Sequence, residues 1–112
     1  MTAQQDTLDQ LTATRDQLDM FIITTTAHPN TPQWKALQKV VDRRGDVDHQ
    51  IDDVIAASFL PGTPGLDAAI ATLQTATKAL TDLDKTIQKV DQIINDVDAI
   101  VQAATAVLAI VG

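Results

Sequence analysis

Apolar residues along this chain recur at spacings of three and four. Proline and glycine divide that pattern into three helical segments, about 3–27, 32–59 and 65–111. The dividers are His28-Pro29-Asn30-Thr31-Pro32 and Pro61-Gly62-Thr63-Pro64-Gly65. Each contains Thr-Pro, which suits a threonine N-cap followed by proline at the first helical position.

In the first segment Leu8, Leu11, Leu18 and Ile22 form a stripe beside Phe21, with Arg15 at one of its positions. The β-branched run Ile22-Ile23-Thr24-Thr25-Thr26 weakens the helix near its end, and a short strand there is the competing reading. The second segment carries Trp34, Leu37, Val41, Arg44, Ile51 and Ile55, with Val40, Val47 and Val54 as a second stripe. Two stripes predict a helix that touches two neighbours. Gly45 inside it permits a kink and costs about 1 kcal/mol relative to alanine. Trp34 is expected to pack near Phe21.

The third segment has the coiled-coil pattern. Leu66, Leu73, Leu80, Ile87, Ile94, Val101 and Leu108 recur every seven residues, and Ala69, Ala76, Leu83, Val90, Val97, Ala104 and Val111 follow each by three. No Gly or Pro interrupts it before Gly112. It predicts one continuous helix about 70 Å long. The expected fold is all-α, one domain over 1–112: an antiparallel three-helix bundle with an overlong third helix. A break near 77–82, giving a four-helix bundle, is the alternative.

The length of that helix carries the functional expectation. Running back along the second helix, it should outrun its partner near residue 92, leaving about 93–111 overhanging. There the composition changes. Ile93, Ile100 and Val107 fill a further apolar position, several alanines cover the rest, and no charge follows Asp98. A helix apolar nearly all round must be buried. The expected interface is therefore Ile93, Ile94, Val97, Ile100, Val101, Ala104, Val107, Leu108 and Val111. Its expected partner is a second copy or a helical protein. A membrane is the second choice, since the uncharged tail is about 20 Å long against a hydrocarbon core of about 30 Å.

Composition narrows the functional classes. The 112 residues hold 45% apolar and 3% aromatic residues, no cysteine, and a net charge of −7. Thiolate chemistry and disulfides are excluded, and the acidic balance disfavours nucleic acid. All 15 acidic residues are aspartate, so helix stability must come mainly from packing. Catalytic material is sparse. Ser58 is the sole serine and lacks a glycine elbow, and the Pro61–Gly65 turn lacks a phosphate-loop lysine. Asp46, His49 and Asp53 share a helical face that would suit a divalent ion, but no second helix repeats the pattern, so a solvated face is expected. Arg44-Gly45-Asp46 lies inside a helix, not on the projecting loop an adhesion tripeptide needs. Arg43 and Arg44 are expected to pair with aspartates. The N-terminus has neither a basic nor an apolar leader region, and no run of eighteen apolar residues occurs, so a cytoplasmic setting is expected, with export by a signal-independent route as the alternative. The expectation is a non-enzymatic interaction module, with no cofactor, metal or small-molecule substrate.

Overall fold

Four helices pack together in the protein, whose structure, a computed structural model, describes residues 2–111. They are α1 (Ala3–Thr24), α2 (Pro32–Ala56), α3 (Leu66–Asp82) and α4 (Val90–Val111), with a 3-10 turn at Ile87–Lys89 before α4. No strand occurs among the described residues. The β-branched stretch ends α1 at Thr24 and continues as extended backbone at Thr25.

Local chemistry sets the ends. Thr2 caps α1 by accepting from the Gln5 N–H at 3.1 Å. Thr31 caps α2 by accepting from the Trp34 N–H at 3.2 Å, with Pro32 opening the helix as the Thr-Pro pattern predicts. The second Thr-Pro does not begin a helix. Thr63 donates to the Leu60 carbonyl at 2.6 Å, and Gly65 becomes the α3 N-cap with φ of +81°. Glycine takes that left-handed conformation at no steric cost. Gln4 reaches across from α1 to the α2 C-terminus, donating to the carbonyls of Val54 (2.8 Å) and Ala57 (3.1 Å).

The continuous third helix is not what forms. The chain leaves the helix after Asp82, at Leu83, and turns back through 83–86. The turn lies just beyond the 77–82 region. Lys85 holds it, its ammonium donating to the carbonyls of Leu80 (2.8 Å), which also accepts the Leu83 N–H, and of Leu83 (3.1 Å). The reason is burial. A 70 Å helix would leave its last stretch in water, whereas two helices of 17 and 22 residues, about 26 and 33 Å long, cover each other.

Neighbours also differ from the expectation. α3 does not run back along α2. It packs most extensively on α4 and next on α1, while α2 packs on α1 and α4. Arg15–Asp48 and Arg44–Asp19 show α1 and α2 antiparallel. The nine residues 57–65 carry the chain across one end. Within α2 the Val40, Val47 and Val54 stripe is the fully buried one, while Val41 and Ile55 of the other stripe remain exposed.

The fully buried positions of α4 are Ile93, Val97, Ile100, Ala104 and Val107. Those of α3 centre on Leu73 and Leu80, with Ile70 and Thr77 beside them. In heptad terms the inward face moves from a and e in α3 to d and g in α4. The turn at 83–86 makes that rotation, so the seven-residue regularity conceals two differently oriented helices.

Candidate functional site

Of the nine residues expected to form an interface, five lie in the chain's own core. Ile93, Val97, Ile100, Ala104 and Val107 are 0% exposed. Ile94, Val101 and Leu108 are half-buried against the main core, and Val111 packs with a smaller cluster around Leu66, Ile70 and Val107. The overhang that made them an interface is absent, because the turn at 83–86 folds α4 onto α1, α2 and α3.

What α4 presents outward is different: Asp91, Gln92 and Asn95 in its first turns, and Ala99, Gln102, Thr105, Ala106 and Ala109 beyond them, of which Ala99, Gln102 and Ala106 face α3. Together with the buried Ala103 and with Thr72, Thr75, Ala76 and Ala79 of α3, these three line an open groove of about 580 Å³. None of the eight groove residues is ionisable. A larger cavity, about 680 Å³, lies at the end of the molecule between the start of α1 and residues 59–68, with Phe59, Leu60 and Leu66 in its wall.

Polar side chains occupy the helix boundaries. Arg43 donates to Asp98 of α4 at 2.6 Å, and Arg44 donates to Asp19 of α1 at 2.8 Å. Each carboxylate, through its hydrogen bond first, holds its arginine above the ordinary guanidinium range. The expected pairing with aspartate is thus made, on other helices rather than on α2 alone. Gln50 is buried between α2 and α4, donating to the Val101 carbonyl (2.9 Å) and to Thr105 Oγ1 (3.0 Å). Between α1 and α3, Gln17 donates to Thr81 (3.0 Å), Gln74 donates to Asp6 (2.9 Å), and Thr77 donates to Gln10. Thr7 and Thr14 are fully buried, each returning its hydroxyl to its own helix.

Sequence reasoning missed these buried polar residues because Thr and Gln interrupt the apolar stripes without breaking their period. Thr7, Leu11, Thr14, Leu18 and Phe21 do follow the helical spacing, and that spacing was the available signal.

The other candidates stay apart. Asp46, His49 and Asp53 are exposed, and no group of three potential metal ligands forms among the described residues. Arg44-Gly45-Asp46 is helical, and its arginine is engaged by Asp19. Ser58 lies exposed in the 57–65 connection with no base beside it in the chain. The helical segment Ile87–Val111 is long and apolar enough to cross a membrane by length and composition, although it contains no unbroken run of eighteen apolar residues. No protein-family model matches the chain, and neither does any curated protein or solved structure.

Proposed function

We propose that this chain is a non-enzymatic helical interaction module that self-associates through its C-terminal helix, with the four helices arranged as a bundle. The observation that carries the reading is the open groove between α3 and α4, free of ionisable side chains and lined in part by Ala76, Ala79, Ala99 and Ala106. The chain as a whole carries −7. Two acidic copies repel wherever carboxylates meet, and this face is where they approach without that repulsion. Alanine also lets helices come close. The contact proposed is α4 against α4 of a second copy, with the buried residues of α4 supporting it from beneath.

Solution mass by light scattering after gel filtration tests this. The expected result is a dimer or larger species at micromolar concentration, reduced to monomer by Ala99→Asp with Ala106→Asp. Both positions are exposed, so the pair leaves the core intact. Ile94→Asp with Val101→Asp, the pair that an overhanging helix would call for, also disturbs core packing. A monomeric wild-type chain at high concentration would overturn the proposal.

A second reading is favoured by one observation, the membrane-compatible length and apolarity of Ile87–Val111. In it, α4 leaves its neighbours and enters a bilayer. Release of trapped dye from liposomes, lost on truncation after Asp98, is the expected result. Neither leakage nor flotation with lipid would remove it.

A further inference from the structure

The charges of the α3–α4 pair are gathered at one end. Asp82, Asp84, Asp91, Asp96 and Asp98 lie at or near the turn at 83–86, with Lys78, Lys85 and Lys89 among them. Residues 68–77 of α3 and 99–111 of α4 carry no ionisable side chain, and Asp67 alone stands at that far end. Lys78 pairs with Asp82, and Arg43 of α2 pairs with Asp98. Asp84, Asp91 and Asp96 then outnumber Lys85 and Lys89, so the turn end is acidic.

The outward stripe of α4 beside the groove has another character. Asn95, Ala99, Gln102, Ala106 and Ala109 recur at helical spacing, and all are exposed and uncharged. Asn95 and Ala109 stand seven residues either side of Gln102. The stripe therefore keeps its spacing when reversed about Gln102, as a contact on a two-fold axis requires. Within the groove, Thr72 and Thr75 give their hydroxyl protons to the carbonyls of Ala68 (3.1 Å) and Ala71 (3.0 Å) in their own helix. Gln102 has no such internal partner among the described residues, and its amide both donates and accepts. Two such amides facing each other satisfy one another.

A second copy can lay its α4 on this stripe in two directions. Parallel docking sets the two acidic turn ends against each other. Antiparallel docking sets each turn end beside the partner's charge-free end, with no carboxylate on the stripe itself. The α1–α2 side, behind the pair, does not repeat this surface, since Arg15–Asp48 and Arg44–Asp19 lie along it. One partner uses the face up, and a two-fold contact closes on itself.

We infer that the second copy docks antiparallel, α4 along α4, with the two Gln102 side chains meeting on the two-fold axis, Asn95 opposite the partner's Ala109, and assembly ending at two copies. The inference rests on the proposed self-association through α4 and adds its direction and its limit.

Single thiols test it, since the chain has no cysteine. Gln102→Cys, Asn95→Cys and Ala109→Cys each replace an exposed side chain, which leaves the core intact. Alanines at 99 and 106 let the helices approach to the roughly 4.4–6.8 Å between α-carbons that a disulfide spans. The variants are oxidised with glutathione disulfide at micromolar protein, and the products are read by mass spectrometry. Gln102→Cys is expected to give the linked dimer. Asn95→Cys and Ala109→Cys, refolded together in equal amounts, are expected to give their mixed disulfide in roughly tenfold or greater excess over either homodisulfide, because docking makes that reaction effectively intramolecular. A statistical mixture, or homodisulfides in excess, would overturn the antiparallel direction. No linkage at Gln102, in a chain that light scattering shows to be dimeric, would place the contact elsewhere and overturn the inference while self-association stands. A wild-type mass above two copies would overturn the closure. A monomeric wild-type chain would remove self-association and this inference with it.

Discussion

Gln50 and Val101 are joined across the α2–α4 boundary, the glutamine amide donating to the valine carbonyl at 2.9 Å while its own Oε1 stays buried and unpaired. Thr105 donates to the same carbonyl at 2.8 Å, so Val101 keeps a partner if Gln50 is lost. Gln50→Met retains the volume and removes the orphaned oxygen. It is expected to leave stability unchanged or raise it by up to about 1 kcal/mol in urea unfolding. A loss above about 2 kcal/mol would mean that the amide bonds outweigh the stranded oxygen.

The burial of α4 sets a contrast between neighbouring residues. Ile100→Ala removes side-chain volume from a fully buried site and is expected to cost about 2–4 kcal/mol. Leu108→Ala, at a half-buried site, should cost roughly half as much by the same transfer and cavity reasoning. Denaturant midpoints of the two variants check the order. A larger loss at Leu108 would contradict the orientation of α4.

Lys85 secures the turn that separates α3 from α4 by bonding carbonyls at the α3 C-terminus. Lys85→Ala strips away those bonds and the favourable cation at the negative helix end. The expected loss is about 1 kcal/mol. Thermal unfolding should show a lower midpoint with helical content retained.

Gly45 lies within α2, exposed, and a β-carbon there would meet nothing within 4 Å. No kink or close approach requires glycine. Gly45→Ala is expected to stabilise by about 0.5–1 kcal/mol through helix propensity and a less disordered unfolded chain. An unchanged or lower denaturant midpoint would point to a role for the glycine outside the folded monomer.

The Arg43–Asp98 pair should respond to salt and hardly to pH. Its arginine is raised above the usual range by the Asp98 hydrogen bond. A raised basic group contributes stability that is fully present below its unfolded pKa and is lost only as pH rises through the folded value. Both lie far above neutrality. Arg43→Gln is therefore expected to cost the same at pH 6 and pH 9, under about 1 kcal/mol because both side chains are a third or more exposed, and less in high salt. A cost that shrinks between those pH values would assign the titration to another group.

Helical class and punctuation were legible in the residues themselves. The Thr31-Pro32 start of α2, the loss of helix in the β-branched run after Thr24, and the crossing segment around Pro61-Gly62 all arise from local backbone chemistry, which the sequence states directly. Part of the buried face was also legible. Ile93, Ile100 and Val107 stood out as a filled extra position, and all three are fully buried.

What covers them was a tertiary decision. A heptad stripe looks the same whether a helix continues past Leu83 or turns back there, because the pattern records which face is apolar and not what it faces. Asp82, Leu83, Asp84 and Lys85 contain no glycine or proline, so the turn carries no local signature. It forms because reversal buries α4 against the rest of the chain and because Lys85 bonds the carbonyls of Leu80 and Leu83 at the turn. The polar contacts between helices are tertiary in the same sense. Gln50, Gln17 and Thr77 acquire their roles only when α2 meets α4 and α1 meets α3, contacts between residues far apart in sequence. Local chemistry settles where helices begin and which face is apolar, whereas the partner of each face is settled by the burial available to the whole chain.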